Sequence, residues 1–104
     1  MDRKELLKNL KIFREKLKED YKIKEVILFG SRANGKFRKD SDVDLIIVGN
    51  FQGKNGLKRV PPLYEYWKID LPVDFICYTP VEYEKLKKKV SIVREALKSG
   101  IIIE

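Results

Sequence analysis

The run Asp42-Val43-Asp44-Leu45-Ile46-Ile47-Val48 sets two acids at the head of a strand whose second half is wholly apolar. An apolar stretch of this kind belongs in a core, so the acids stand where the core ends. Strand residues two apart leave the same face, and two carboxylates held together repel unless a cation lies between them. The run Val73-Asp74-Phe75-Ile76-Cys77-Tyr78 repeats the pattern with one acid. If the two strands are neighbours, Asp42, Asp44 and Asp74 converge. Three oxygen donors without nitrogen or sulfur suit a hard cation, magnesium or manganese, that keeps positions open for phosphate and water. A two-ion arrangement would hold the ions roughly 3.5–4 Å apart. Each acid also has a plainer reading. Asp42, after Ser41, fits a turn residue capping local amides, and Asp74 fits an edge-strand charge that discourages aggregation. Asp44 opposes strand propensity without an evident local partner.

The other segments read as helices and short strands. Leu6, Leu10, Phe13 and Leu17 recur at helical spacing from Asp2 to about Asp20, with a capping-box start at Asp2 and Glu5. Glu25–Phe29 is a buried strand that stops at Gly30, and a helical turn opens at Ser31. Gly49 to Val60, with three glycines and two asparagines, reads as a mobile loop. Pro61-Pro62 opens a short helix through Trp67, and a third strand covers 73–78. Thr79-Pro80-Val81-Glu82 starts a helix that runs to Val90. Another helix begins near Ser91 and ends at Gly100, before a short strand or docked tail at 101–103. The order predicts a single α+β domain over residues 1–104, a small mixed sheet flanked by helices.

Composition narrows the chemistry. The chain has no histidine, which removes Ser-His-Asp and Cys-His catalysis and histidine-ligated zinc. Its single cysteine, Cys77, excludes an internal disulfide and reads as a buried structural thiol. A net charge of +7 favours anionic partners: nucleotides, nucleic acid or an acidic protein surface. With 38% charged residues the surface resembles that of a hyperthermophile protein. No run is long and apolar enough for a membrane span, and the charged first twenty residues do not resemble a signal peptide. The expectation is a soluble, cytoplasmic protein.

Gly30 and Ser31 supply a second half for the site, because glycine lets a phosphate approach the backbone and a serine hydroxyl can donate to it. Such a turn also occurs for purely conformational reasons. Its spacing from the acids is more specific. Gly30-Ser31, ten intervening residues and Asp42-Val43-Asp44, within Leu28-Phe29-Gly30-Ser31-Arg32-Ala33-Asn34-Gly35, resembles the signature of the DNA polymerase beta-like nucleotidyltransferase superfamily. The chain looks like its minimal nucleotidyltransferase branch, since it lacks the appended domain of larger relatives. Asn34 departs from the second basic residue that relatives often carry.

The resemblance implies that Gly30 and Ser31 contact the triphosphate of ATP, that Asp42 and Asp44 bind magnesium in a two-ion arrangement, and that Asp74 assists in activating the acceptor hydroxyl. Arg32 or Lys36 is expected to neutralise the leaving pyrophosphate. It further implies a partner, a HEPN-domain ribonuclease toxin silenced by AMP transferred to a tyrosine, with this chain as the antitoxin. Two alternatives stay open: transfer to RNA or a small-molecule hydroxyl, and a non-catalytic antitoxin that acts by binding alone. Direct nucleic-acid binding is not favoured, for want of an RNA-binding motif or aromatic stacking series. The lysine run at 85 and 87–89 reads first as a solvated helix face. Tyr64, Tyr66 and Trp67 fit either a partner surface or packing against the first helix.

Overall fold

Side-chain alternation in the strands decides the layering. In β1 (Glu25–Phe29), β2 (Val43–Val48) and β3 (Val73–Tyr78), alternate residues enter two separate cores. The computed structural model describes residues 1–51 and 54–104. On one face Val26, Leu28, Leu45, Ile47, Phe75 and Cys77 pack beneath Leu6, Leu10, Phe13 and Leu17 of α1 (Arg3–Asp20). On the other, Ile27, Ile46 and Val48 meet Tyr83 of α4 (Pro80–Lys87) and Val93 and Ala96 of α5 (Ile92–Ser99). Both faces of the central strands are therefore covered, which is why β2 is apolar at every position after Asp44.

The sheet order is β3-β2-β1-β4, with β4 at Ile101–Ile102. β1 runs antiparallel to β2 and β4, while β2 and β3 are parallel. This is the expected α+β architecture with a mixed sheet. A parallel pair needs a crossover, and here it comprises α3 (Gly56–Arg59) and a 3-10 helix at Pro61–Tyr66, with Leu63 buried in the α1-side core. Among the described residues no helix is long and apolar enough to cross a membrane.

The capping signals act as read. The Asp2 side chain accepts from the Glu5 amide at 2.8 Å. Thr79 and Glu82 close a reciprocal capping box, 3.3 Å from the Glu82 amide to the Thr79 hydroxyl and 2.8 Å from the Thr79 amide to the Glu82 carboxylate. Three boundaries differ from the sequence reading. Asp42 lies one residue before β2, not in it. α4 stops at Lys87 rather than Val90, because the Ser91 hydroxyl donates to the Leu86 carbonyl at 2.7 Å while accepting from the Arg94 amide at 3.2 Å. One serine thus ends α4 and caps α5. The stretch expected as a mobile loop from Gly49 to Val60 carries α3 over Gly56–Arg59, and Gln52 and Gly53 within it lie outside the described residues. Gly49 and Phe51 are buried, and Asn55 caps α3.

Two interactions hold that crossover. Arg59, only 8% exposed, donates to the carbonyls of Lys54 at 2.9 Å and Cys77 at 3.2 Å and to the Glu82 carboxylate at 2.6 Å. Trp67 sits edge-on to Phe13 and Phe75, with ring centroids 5.1 and 5.7 Å away, and Tyr66 donates to Asp20. Packing against α1 therefore accounts for Tyr66 and Trp67, while Tyr64 remains 48% exposed. Cys77 is a buried free thiol whose pKa burial pushes up to about 12, which keeps it inert as a thiol.

Glu82 serves the helix cap and Arg59 at once. Its pKa is lowered, chiefly by the Arg59 hydrogen bond. A depressed carboxyl contributes stability that is present above its unfolded pKa and lost as pH falls through the folded value. Glu82→Ala is expected to cost about 1–2 kcal/mol in urea unfolding at neutral pH, the scale of a lost cap. The gap from the parent should narrow on acidification, and an equal gap at both pH values would remove the charge from this account.

Candidate active site

The site begins at a glycine that cannot be replaced without strain. Gly30 ends β1 with φ +74° and ψ −157°, a backbone conformation essentially confined to glycine. It caps the N-terminus of α2 (Ser31–Asn34), its carbonyl accepting from the Ala33 and Asn34 amides at 3.1 and 3.2 Å. The β1–β2 register sets Phe29 opposite Asp44, so Gly30 passes beside that acid. A Cβ at Gly30 would stand 2.4 Å from Asp44 Oδ2. The Asp44 carboxylate thus occupies the space that any side chain at position 30 would need. Ser31, half-buried, opens α2 beside this contact.

Parallel pairing brings in the third acid. Asp44 is the register partner of Asp74, and neighbouring strands lie about 4.8 Å apart. Both acids share the sheet face of Ile46 and Ile76, and Asp74 is exposed. Asp42, also exposed, stands at the mouth of β2. The pKa of Asp44 is raised by burial first and then by the charges of Asp74 and Asp42. Asp74 and Asp42 are thus near enough to oppose the ionisation of Asp44.

The donor chemistry fits a hard divalent cation. Among the described residues no three acids are gathered closely enough to form a ready-made metal cage. Magnesium seldom uses one, taking one or two carboxylates and completing its shell with water and substrate phosphates. A half-formed shell of carboxylates next to a glycine-serine turn suits an ion that shares its ligands with a nucleotide.

Arg32, expected as a phosphate contact, is placed otherwise. It is 2% exposed. Its Nε donates to the Ser41 carbonyl at 3.1 Å and its Nη2 to the carbonyls of Lys39 at 3.1 Å and Arg38 at 3.4 Å, while the Phe37 ring lies 4.6 Å from the guanidinium. The reason is local: the residue after Ser31 faces the turn that returns the chain to β2, and that turn offers carbonyls. Lys36 is exposed, its amide donating to the Asn34 side chain at 2.9 Å. Sequence reasoning missed Arg3, whose guanidinium donates to the Ala33 carbonyl and ties α1 to the far end of α2. Nothing in the charged face of an amphipathic helix singles it out. A groove of about 280 Å³ between α1 and residues 66–70, lined by Ile12, Phe13, Lys16 and Lys68 among others, contains none of the site residues.

Residues 10–103 match the sequence model of the nucleotidyltransferase domain. The chain belongs to that family. Two relatives in Methanocaldococcus jannaschii, both provisionally named protein adenylyltransferases, extend the match. One is 30% identical over 76 residues, covering 71% of this chain and 76% of the relative. The other is 47% identical over 45 residues, covering 41% of this chain and 45% of the relative, so that alignment spans less than half of that protein. A crystal structure of a provisionally assigned nucleotidyltransferase from Sulfolobus solfataricus superposes with a TM-score of 0.67 over 96% of this chain and 80% of its own, at 22% identity. That likeness establishes the fold. Family membership and fold thus agree for this chain.

Two substitutions probe the site as built. Gly30→Ala is expected to cost at least about 1–3 kcal/mol in backbone strain and to displace the Asp44 carboxylate, seen as lower stability together with lost activity. Asp44→Asn should act oppositely on stability. A raised carboxyl pKa makes the metal-free protein less stable as pH rises through that value. Asp44→Asn should therefore unfold at a higher temperature than the parent in EDTA at neutral pH, and the advantage should vanish on acidification. A lower unfolding temperature in EDTA would show that Asp44 is not held against repulsion.

Proposed function

We propose that this nucleotidyltransferase transfers AMP from ATP to a hydroxyl on a partner protein. The observation that carries the reading is the Asp44 carboxylate seated on Gly30 with Asp74 at the same register. It joins a phosphate-accepting turn to a cation-accepting set of acids in one place. The protein relatives' names support a protein acceptor.

In this reading the Gly30–Ser31 turn lets the triphosphate lie against backbone, with the Ser31 hydroxyl donating to it. Asp42 and Asp44 hold magnesium, with Asp74 as the third ligand. Bound magnesium would supply positive charge to the phosphates and lower the pKa of the attacking hydroxyl. Asp74, the most open of the strand acids, takes the proton of the acceptor hydroxyl. The acceptor oxygen forms its bond to the α-phosphorus as the bond to the bridging oxygen breaks, and pyrophosphate leaves with that electron pair. Lys36, exposed beyond the turn, would meet its charge. The acceptor implied by the family resemblance is a tyrosine of a HEPN-domain ribonuclease toxin, with this protein as the antitoxin.

The test incubates the protein with ATP, magnesium and the product of the neighbouring gene, and looks by mass spectrometry for an AMP adduct. The adduct is expected with the parent protein, and Asp42→Asn and Asp44→Asn should each lower its rate by at least about 100-fold. Toxin inhibition that survives in both variants without adduct would replace this reading with binding alone. AMP found on RNA would move the acceptor to nucleic acid.

A further inference from the structure

Asp42 stands outside the sheet, yet the peptide group on each side of it is held. On the C-terminal side the Val43 amide donates to the Pro72 carbonyl at 2.8 Å, a bond to the segment entering β3. On the N-terminal side the Ser41 carbonyl accepts from Arg32 Nε at 3.1 Å. The first bond extends the β2–β3 pairing. The second comes from a side chain nine positions before Ser41, in the residue directly after Ser31.

The rest of the guanidinium is engaged on the same turn. Residues 38–41 close on themselves, the Ser41 amide donating to the Arg38 carbonyl at 3.1 Å and the Arg38 amide to the Ser41 hydroxyl at 2.8 Å. Arg32 Nη2 adds bonds to Lys39 and Arg38, and the Phe37 ring covers the guanidinium plane. A planar fork that never loses its proton suits several carbonyls spread along a turn, whereas the single ammonium of lysine does not. The acceptors are carbonyls rather than carboxylates, so the cation leaves the charges of Asp42 and Asp44 unspent. Arg3 fixes the other end of the short helix through the Ala33 carbonyl.

We propose that Arg32 is a positioning residue, a buried guanidinium that locks the 38–41 turn to α2 and so sets Asp42 relative to Ser31 without touching the nucleotide. The inference rests on reading Asp42 as a metal ligand of nucleotidyl transfer. Without the clamp, the ten residues between Ser31 and Asp42 would tie the two halves of the site only loosely. Asp42 would then keep one fixed peptide group out of two.

The experiment compares the parent with Arg32→Gln, Arg32→Lys and Phe37→Leu by amide hydrogen exchange and by ATP titration, in EDTA and across a magnesium series. Arg32→Gln should exchange faster at residues 38–42 with β1 and β3 unchanged, and keep its metal-free ATP affinity. It should also need about 10- to 100-fold more magnesium for half-maximal ATP binding, the usual effect of losing a group that orients a metal ligand. Arg32→Lys should fail to restore the parent's magnesium requirement. Phe37→Leu, which keeps the cation and loosens its seat, should shift exchange and magnesium requirement the same way by less. If Arg32→Gln does not fold, Phe37→Leu decides, and parent-like exchange with a parent-like magnesium requirement overturns the proposal. Metal-free ATP affinity lost in Arg32→Gln, with residues 38–42 as protected as in the parent, would equally overturn it in favour of a direct phosphate contact. Parent protein that binds no ATP would sink the nucleotidyl-transfer reading instead, while the exchange comparison still decides whether Arg32 holds the turn.

Discussion

Asp44 and Asp74 sit at the same level of a parallel strand pair, where burial and the charge of Asp74 make the ionisation of Asp44 harder. What keeps them there is the remainder of the strands. From Leu45 to Val48 and from Phe75 to Tyr78 the side chains enter the cores on both faces of the sheet, and a slip of one residue would turn every one of them to the wrong side. The apolar halves thus set the register, and the acids have to accept it. Each buried aliphatic side chain is worth about 1.5–3 kcal/mol, and surface-facing charge repulsion is smaller. The core outweighs the repulsion, and the domain carries a standing readiness for positive charge at one end of its sheet.

Much of this could be read from residues alone, because the relevant signals are local. Acids heading an apolar run, a glycine-serine turn ending a β-branched run, and Thr79 with Pro80 and Glu82 each state their own structure. What could not be read depends on distant partners. α3 forms in a stretch rich in glycine, asparagine and lysine because Arg59 is drawn inward to Cys77 and Glu82, and no local pattern announces that. The α4 boundary turns on one hydroxyl that both accepts and donates. Arg32 was misplaced for a different reason: a cation next to a phosphate turn suggests an anion ligand, and only the folded turn at 38–41 supplies the carbonyls and ring that claim it. The adjacency of β2 and β3, on which Asp74 depends, was a condition in the sequence and is an observation in the fold.

The two ends of the sheet divide the work. At the ends of β2 and β3 remote from the acids, Arg59 and the Thr79–Glu82 cap bind crossover, strand and helix together. At the other end the carboxylates are left open, and order comes from guanidinium bonds to short segments, one from Arg3 to α2 and three from Arg32 to the 38–41 turn. Rigid support with an exposed reactive edge suits an enzyme whose acceptor is itself a bulky molecule, since a deep cleft would exclude a folded protein.

The contact between Gly30 and Asp44 has a bearing on ancestry as well as on chemistry. A side chain acquired at position 30 meets the carboxylate at once, and a larger residue at position 44 meets the glycine backbone. Position 30 is tied to glycine by its own backbone and by the acid beside it, whereas Asp44 can lose its charge with the glycine still in place, so decay of the site would begin at the acid.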